Sequence, residues 1–554
     1  MTLIEKLITV VLAILVVSAL VWWGRILIDH FMDDAPQFGG SYTEGVIGQP
    51  RFINPLIAHT EAGKTMVSLV YNGLFAYDHN GKIVSDLAER HEVTDDLKTY
   101  TVVLREDALW HDGTPVRADD VVMTANMIKD VSYQVPSRLQ WTDVAKVEKT
   151  DDRTVRFTLA ESSATFLQNL TVGILPAHIW GDVTAEQFQL SEFNTQPIGT
   201  GPYEVVDRTT DEGDRILSYD LSANEEYYRD RPYIDQMTIK FYPNYDNLIA
   251  AFNQKDVDGV GLDFPEYVDQ LNVENDVSIY KLSVPSYVAT FFNRNKSAAL
   301  AFSEVREALT MATDRSGLID QIFNGNAQRV GGPLLSWMDG YNEQAQQADF
   351  DQDQANTLLD EKGWDRGEDG IRKKDDIPLA FTLQTVAKLP QLVHAAEILS
   401  EQWREIGAEV SIQEHEISTF NSTVLQPREY DAVLFAHQLT ATPNLFPFWH
   451  SSQTTGSGLN YALYKDDAVD TLLTDLTKTA ADDQRMEKLS GVQKAIAEDL
   501  PATFLFSPIY LYVQSAQVQG VGEKDLRVNQ PNDRFYNVHE WFVKTKHVRK
   551  DKEE

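Results

Sequence analysis

The first apolar-polar pattern in the body of the chain is a strand over residues 41–47. It runs into Gln49-Pro50-Arg51-Phe52-Ile53-Asn54-Pro55, where two prolines predict an extended or turning loop. Met66, Val67, Leu69, Val70 and Leu74 fit a short helix over 65–74, ending at Asn72-Gly73. Residues 75–77 and 83–84 flank an Asn80-Gly81 hairpin turn, 100–104 alternates as a half-buried strand, and 144–159 reads as a hairpin around Asp151-Asp152. Ala118-Asp119-Asp120 caps a helix through Val121, Val122, Ala125 and Ile128, with its acids at the positive end. Further strands are predicted over 198–206 and 237–242, and helices over 245–254, 303–312, 355–361 and 392–406. The strands 381–383 and 409–412 flank the last of these helices, a unit suited to a right-handed crossover. Helices over 466–477 and 484–498 precede strands at 503–506 and 511–513. No period of repeat length recurs, so the pattern predicts an α/β protein of several lobes rather than a solenoid or propeller.

One stretch departs from this mixture. Residues 7–24, LITVVLAILVVSALVWWG, carry no charge and nearly match the thickness of a hydrocarbon core. Trp22 and Trp23 stand where an interfacial belt would be, followed by Arg25, Asp29, Asp33 and Asp34. A cleaved signal peptide could use Val17-Ser18-Ala19 as its site, but the tryptophans continue the apolar run beyond it, which favours an uncleaved transmembrane anchor. Either reading exports the body. Residues 33–40 then read as a short linker rich in turn formers and charge.

Composition narrows the partners. The chain of 554 residues has 84 acidic against 48 basic side chains and a net charge of -36, which argues against nucleic acid or any other polyanion. Only four of those acids lie in residues 1–34, so the acidity belongs to the exported body. The absence of cysteine excludes disulfides, thiolate metal sites, a thiol nucleophile and a lipidated cysteine tether together.

Motifs for chemistry are weak. Ala58-His59-Thr60-Glu61-Ala62-Gly63-Lys64-Thr65 matches a relaxed phosphate loop, but it lacks the first glycine, puts Glu61 in the cradle and follows no clean strand; a helix N-terminus explains it better. Residues 365–376, DRGEDGIRKKDD, have Asp at loop positions 1 and 5 and Gly at 6, as a calcium loop would. Gly367 and Lys373 spoil the remaining ligands and leave a solvated turn. The 12 histidines form no HExxH or i, i+4 pair, and Gly456-Ser457-Gly458 lacks the setting of a nucleophile elbow. No catalytic residue, metal site or cofactor is expected.

What remains is recognition, with ten Trp, 22 Tyr and 25 Phe as its raw material. Two clusters, 286–295 and 435–450, alternate aromatic and hydrogen-bonding groups in a way that suits loops around a pocket as well as a core. A looser set is Tyr133, Arg138 and Trp141, interrupted by Pro136.

These residues resemble the substrate-binding proteins of peptide- and nickel-type ABC importers, the oligopeptide- and dipeptide-binding group (family 5). The resemblance rests on residues 69–122, on Ile198-Gly199-Thr200-Gly201-Pro202-Tyr203, and on Phe292-Asn293-Arg294-Asn295 with Val305-Arg306-Glu307-Ala308-Leu309 and Ala312-Thr313-Asp314-Arg315. It also rests on residues 482–501, and it covers nearly the whole chain after residue 38.

It implies an α/β, two-lobed periplasmic-binding-protein-like clamp (type II) with an extra subdomain, preceded by one N-terminal transmembrane helix. The boundaries it implies are a cytoplasmic stub 1–6, the anchor 7–24 and a linker 25–40. Lobe I would be built from 41–70, 190–285 and 509–546, the extra subdomain from 71–189, lobe II from 286–508, and a charged tail from 547–554. The implied partners are a peptide or peptide-like solute, permease subunits and, through the anchor, the cell membrane, with the body a monomer on the extracytoplasmic face. Ligand-binding residues are expected at Asn54, Tyr133, Trp141, Tyr287, Phe291, Asn293, His437, Gln438, Leu439, Thr440 and Trp449.

One position departs from the family. Peptide-binding members pair an aspartate four residues before the motif's proline with the ligand's α-amino group; here the proline is Pro443 and the position is Leu439. A buried ammonium without a carboxylate is costly, which puts binding of a free peptide N-terminus in doubt. The competing functions are a receptor presenting a signalling peptide, metal chelate or sugar to a sensor, and, more remotely, an exported hydrolase on the same scaffold.

Overall fold

In the computed structural model of the protein, which describes residues 12, 14–18, 22–23, 32–272 and 277–549, one strand joins two halves of a 13-stranded mixed sheet. That strand is Ala502–Ser515. Its first residues pair antiparallel with Ser286–Phe292, and its last with Gly259–Leu262 and Val277–Ser283. The two strands expected at 503–506 and 511–513 are therefore one. Pro508 between them has no N–H to give, and it sits where one partner has ended at Phe506 and the next begins at Ile509, so no ladder bond on that side is lost. Directly across, Val284-Pro285 links Val277–Ser283 to Ser286–Phe292, so both crossings carry a proline at the same level.

On one side of the crossing the sheet continues through Ser41–Ile47, Gln236–Tyr242, Ile216–Ala223 and Tyr203–Thr210. On the other it continues through Ala432–Gln438, Ala380–Val386 and Glu409–His415. The last two are parallel and flank the helix Pro390–Glu405, the crossover that the sequence predicts. A separate four-stranded antiparallel sheet, Ala88–Val93, Thr99–Leu104, Thr154–Leu159 and Val144–Asp151, packs with the helix Ala118–Lys129. The cores follow the same division. Tyr42, Leu69, Trp110, Trp180 and Trp541 share one cluster, while Phe292, Leu309 and Trp403 form a second and Tyr287, Trp449 and Phe504 a third.

Several elements differ from the sequence pattern. The helix expected over 65–74 is Glu61–Val70, because Thr60 accepts the Gly63 N–H as its N-cap and Tyr71 is already extended. The clusters at 286–295 and 435–450, open to a loop reading, include the strand Ser286–Phe292 and the last four residues of the strand Ala432–Gln438, which pair with each other. Part of the expected linker, Met32–Gln37, is a strand paired antiparallel with Lys544–Arg549, so the start of the charged tail is also in a strand. The expected anchor 7–24 lies mostly outside the described residues. Within it Leu12, Ile14, Leu15, Val16, Val17, Trp22 and Trp23 are helical and exposed, and no described helix is long and apolar enough to cross a membrane.

A buried polar chain fastens the crossing strand to lobe elements distant in sequence. Arg534 donates to Glu44 at 2.7 Å, both side chains fully buried. The hydroxyls of Tyr42 and Tyr512 donate to the other oxygen of Glu44 at 2.5 and 2.9 Å. Arg534 also lies over the Phe535 and Tyr512 rings. One step along the strand, Tyr510 donates to Glu61 at 2.8 Å, and nearby Tyr245 donates to Asp263 at 2.8 Å. Burial, then the charge of Asp263, raises the Glu61 carboxyl to about 6, against the opposing pull of Arg534 and the Tyr510 hydroxyl.

Two consequences are measurable. Arg534→Met leaves Glu44 buried without its cation and should lower stability by about 3–5 kcal/mol, read as a lower urea midpoint at an unchanged slope. A loss below ~1 kcal/mol would show that the pair is not a fastening. Because the folded pKa of Glu61 lies above its ordinary 4.5, the folded state binds that proton more tightly. Its burial then opposes folding above about 6 and not below 4.5. Glu61→Gln, which keeps an acceptor for Tyr510, should stabilise the protein at neutral pH by about 1–2 kcal/mol and leave acid stability unchanged. Equal effects at both pH values would contradict this account.

Candidate functional site

A cavity of about 560 Å³ lies within the range of small-solute sites. One wall is the helix Glu61–Val70. Its buried face, Ala62, Met66, Leu69 and Val70, packs into the core, whereas its half-buried face turns Lys64, Val67, Ser68 and, one residue beyond, Tyr71 to the cavity. Those positions fall on one helical stripe. The second wall is the short helix Pro136–Trp141 with residues 168–173, and the third is the C-terminal turn around Asn529 and Asp533. Asn532 donates to Thr65 at 2.7 Å, which locks that turn to the helix.

A loop from the opposite half of the sheet closes on these walls. Leu439 N–H and the Gln438 amide both donate to Pro285 O, at 2.7 and 3.3 Å, so the loop hangs from the crossing. It then reaches across: Ala441 N–H donates to Asn529 Oδ1 at 3.0 Å, and the Gln168 amide donates to Thr442 O at 3.1 Å. Asn529 and Gln168 are themselves cavity residues.

The charges of the cavity are unevenly matched. Asp86 is buried and accepts from Arg229 at 2.7 Å, from Asn72 at 3.1 Å and from the Tyr228 hydroxyl. Asp533 accepts the N–H groups of Asn529 and Gln530, both at 2.9 Å; burial raises its carboxyl to about 6 despite those bonds and the more distant charge of Lys64. Lys64 itself has no hydrogen-bond or ion-pair partner among the described residues. Tyr71 is 4% exposed and its hydroxyl has no partner; burial raises that phenol above its usual range. His59 lies 3.1 Å from Ile57 O through Nδ1, and burial lowers the pKa of His539. Among the described residues no three His, Asp or Glu side chains converge to hold a metal ion.

The residues expected from sequence divide sharply. Trp141 lines the cavity. Gln438, Leu439 and Thr440 belong to the closing loop, with the Leu439 side chain buried in the third core cluster and the Thr440 hydroxyl donating to Thr442 O. Tyr133 lies off the cavity, its hydroxyl on Val183 O and its ring edge-on to Phe188. Asn54 and Asn293 are buried turn residues: Asn54 binds Asn194 and the Leu56 N–H, and Asn293 binds Arg428 O and the Asn295 N–H.

Tyr287, Phe291, His437 and Trp449 are core. His437 Nε2 faces Leu459 O at 3.1 Å and must donate, so Nδ1 accepts from the Tyr287 hydroxyl at 2.8 Å; burial lowers its pKa to about 3 and keeps the ring neutral. Tyr287, Phe291 and His437 lie on adjacent strands, with Tyr287 paired opposite His437, and Trp449 ends the short helix Phe446–Trp449.

The sequence reading missed Lys64, Tyr71, Arg229, Asn529 and Asp533. For Lys64 a signal existed: it is the only lysine in the stripe Lys64, Val67, Ser68, Tyr71 of a helix whose other face is apolar. Nothing local marks Asn529 or Asp533, which reach the cavity only through the C-terminal return of the chain.

Comparison with known proteins fits this architecture. The chain is 29% identical over 515 residues to the oligopeptide-binding protein AppA of Bacillus subtilis, covering 92% of each. The solved structure of AppA from Bacillus subtilis in complex with a nonapeptide matches with a TM-score of 0.71 and 28% identity, over 92% of this chain and 100% of that one. The ABC transporter substrate-binding protein CtaP of Listeria monocytogenes matches with a TM-score of 0.78 and 25% identity, over 92% of this chain and 100% of that one. NikZ of Campylobacter jejuni in complex with Ni(L-His) gives 0.71 and 25%, over 91% and 99%. The family described as bacterial extracellular solute-binding proteins, family 5 Middle, matches residues 82–458, more than half of the chain. With a match over that much of the chain, on a fold that leaves a polar cavity beside a loop from the other half of the sheet, the protein belongs to the bacterial extracellular solute-binding proteins of family 5.

Proposed function

We propose that this chain captures a peptide or peptide-like solute by closing its lobes and delivers it to the permease of an ABC importer. The observation that carries the reading is the loop hung from Pro285, which reaches Asn529 and Gln168, two residues of the cavity wall. The residues lining the cavity belong to the first body described below, so an open clamp would lose those bonds and closure would bring the second body's loop over a solute already held there. The relatives named for oligopeptide binding agree with this.

The moving bodies are 41–70 with 190–285 and 509–546, carrying the subdomain 71–189, against 286–508. Their limits fall at Val284-Pro285 and Ser507-Pro508, where the two crossing strands change partners. Trp141 is a fixed wall and Gln438 to Thr440 belong to the moving flap. Residues 7–24 hold the body, a monomer, on the outer face of the cell membrane as an uncleaved span.

A pool of mixed-length peptides at a hundredfold excess over Kd should stabilise the protein by ~2.7 kcal/mol, read as a rise in Tm, and should reduce its radius of gyration in solution scattering. Saturation of binding with no compaction would sink the clamp mechanism.

A further inference from the structure

We infer that the Lys64 wall of the cavity receives a carboxylate of the solute, with the Tyr71 hydroxyl as a second donor; this rests on the solute-capture reading above. Arg229 is already paired with Asp86, and Asp533 holds two backbone N–H groups on one of its oxygens. Lys64 is half-buried and has no partner among the described residues, in a chain that carries 36 excess negative charges and could have supplied one. A half-enclosed ammonium is unfavourable until an anion meets it.

Seven residues along the same stripe, the hydroxyl of Tyr71 is buried and unpartnered at the cavity wall. A phenol held neutral by burial is a donor, so both unmet groups ask for an acceptor, and a carboxylate supplies acceptors on two oxygens. The opposite polarity is less well provided for. Leu439 is buried in an apolar cluster and both oxygens of Asp86 are taken, so only the second oxygen of Asp533, which already feels the Lys64 charge, is left for a solute ammonium. The cavity therefore favours a solute held by its acidic end.

The test uses the full chain and three peptide pools of equal length distribution, all N-acetylated. The first has a free C-terminus and no Asp or Glu, the second has the same residues with an amidated C-terminus, and the third is amidated but contains Asp and Glu. Titration calorimetry should show the first pool, the third or both binding tighter than the second by about tenfold to a hundredfold. The first arm identifies a terminal carboxylate and the third an acidic side chain. Lys64→Gln should erase that difference, Lys64→Arg should restore most of it, and Tyr71→Phe should reduce it. If Lys64→Gln fails to fold, as judged by its Tm, Tyr71→Phe and the wild-type pool comparison still decide. Equal binding of all three pools by the wild type, or an equal loss for every pool in Lys64→Gln, overturns the inference while leaving solute capture standing. Binding of none of the pools overturns the peptide reading, and this inference with it.

Discussion

The buried pair between Glu44 and Arg534 is the constraint on which the rest of the structure turns. Glu44 sits in Ser41–Ile47, the first strand of the large sheet, and Arg534 in the turn that closes the chain. Between them pass Tyr42 and Tyr512, the second of these on the strand that crosses from one half of the sheet to the other. A charge pair without water is costly unless its remaining donors and acceptors are met; here two phenols bond the carboxylate and three aromatic faces cover the guanidinium, and Arg534 Nε alone is left without a partner among the described residues. The crossing strand is thus fastened just below the level of Pro508 and Pro285, where it changes partners on one side and keeps only the short strand Ala327–Arg329 on the other. A clamp needs that contrast: a stiff root and a short segment where the ladder is thinned.

The same root fixes the cavity. Glu61, the first residue of the helix that forms one wall, is held by Tyr510 of the crossing strand, while Asn532 of the C-terminal turn holds Thr65. The pitch of the helix then decides which side chains face inward, and Lys64 and Tyr71 follow from the placement of Thr60 as the cap. Site chemistry and fold stability are therefore coupled through a few residues. A substitution in the buried polar chain would rotate or shift the solute wall as well as weaken the core.

Much of the framework was legible because it is locally encoded. Hydrophobic period gave the helix Tyr245–Asn253 and the strand pair around Pro390–Glu405 closely, and turn chemistry gave the Asn80-Gly81 hairpin. Two kinds of position were not legible. Ala502–Ser515 read as two strands because a proline normally ends one, and only the exchange of partners at residues 506–509 explains its tolerance. Tyr287, His437 and Trp449 read equally as pocket or core, since a hydroxyl and an imidazole that satisfy each other across adjacent strands look, in one dimension, like groups awaiting a ligand. Conversely Lys64 looked like a failed phosphate loop, and its lack of a partner is visible only when the whole surrounding wall is known.

The pairing of Met32–Gln37 with Lys544–Arg549 has a consequence in time rather than in space. Among the described residues these strands bond to each other and to no other sheet, so they form a ribbon of about 20 Å of their own. Its two halves are separated by almost the entire chain. The ribbon cannot begin to form until residues 544–549 have been made. By then the strands and helices between its two halves have had every opportunity to fold, so the ribbon is a late contact in assembly rather than a seed for it.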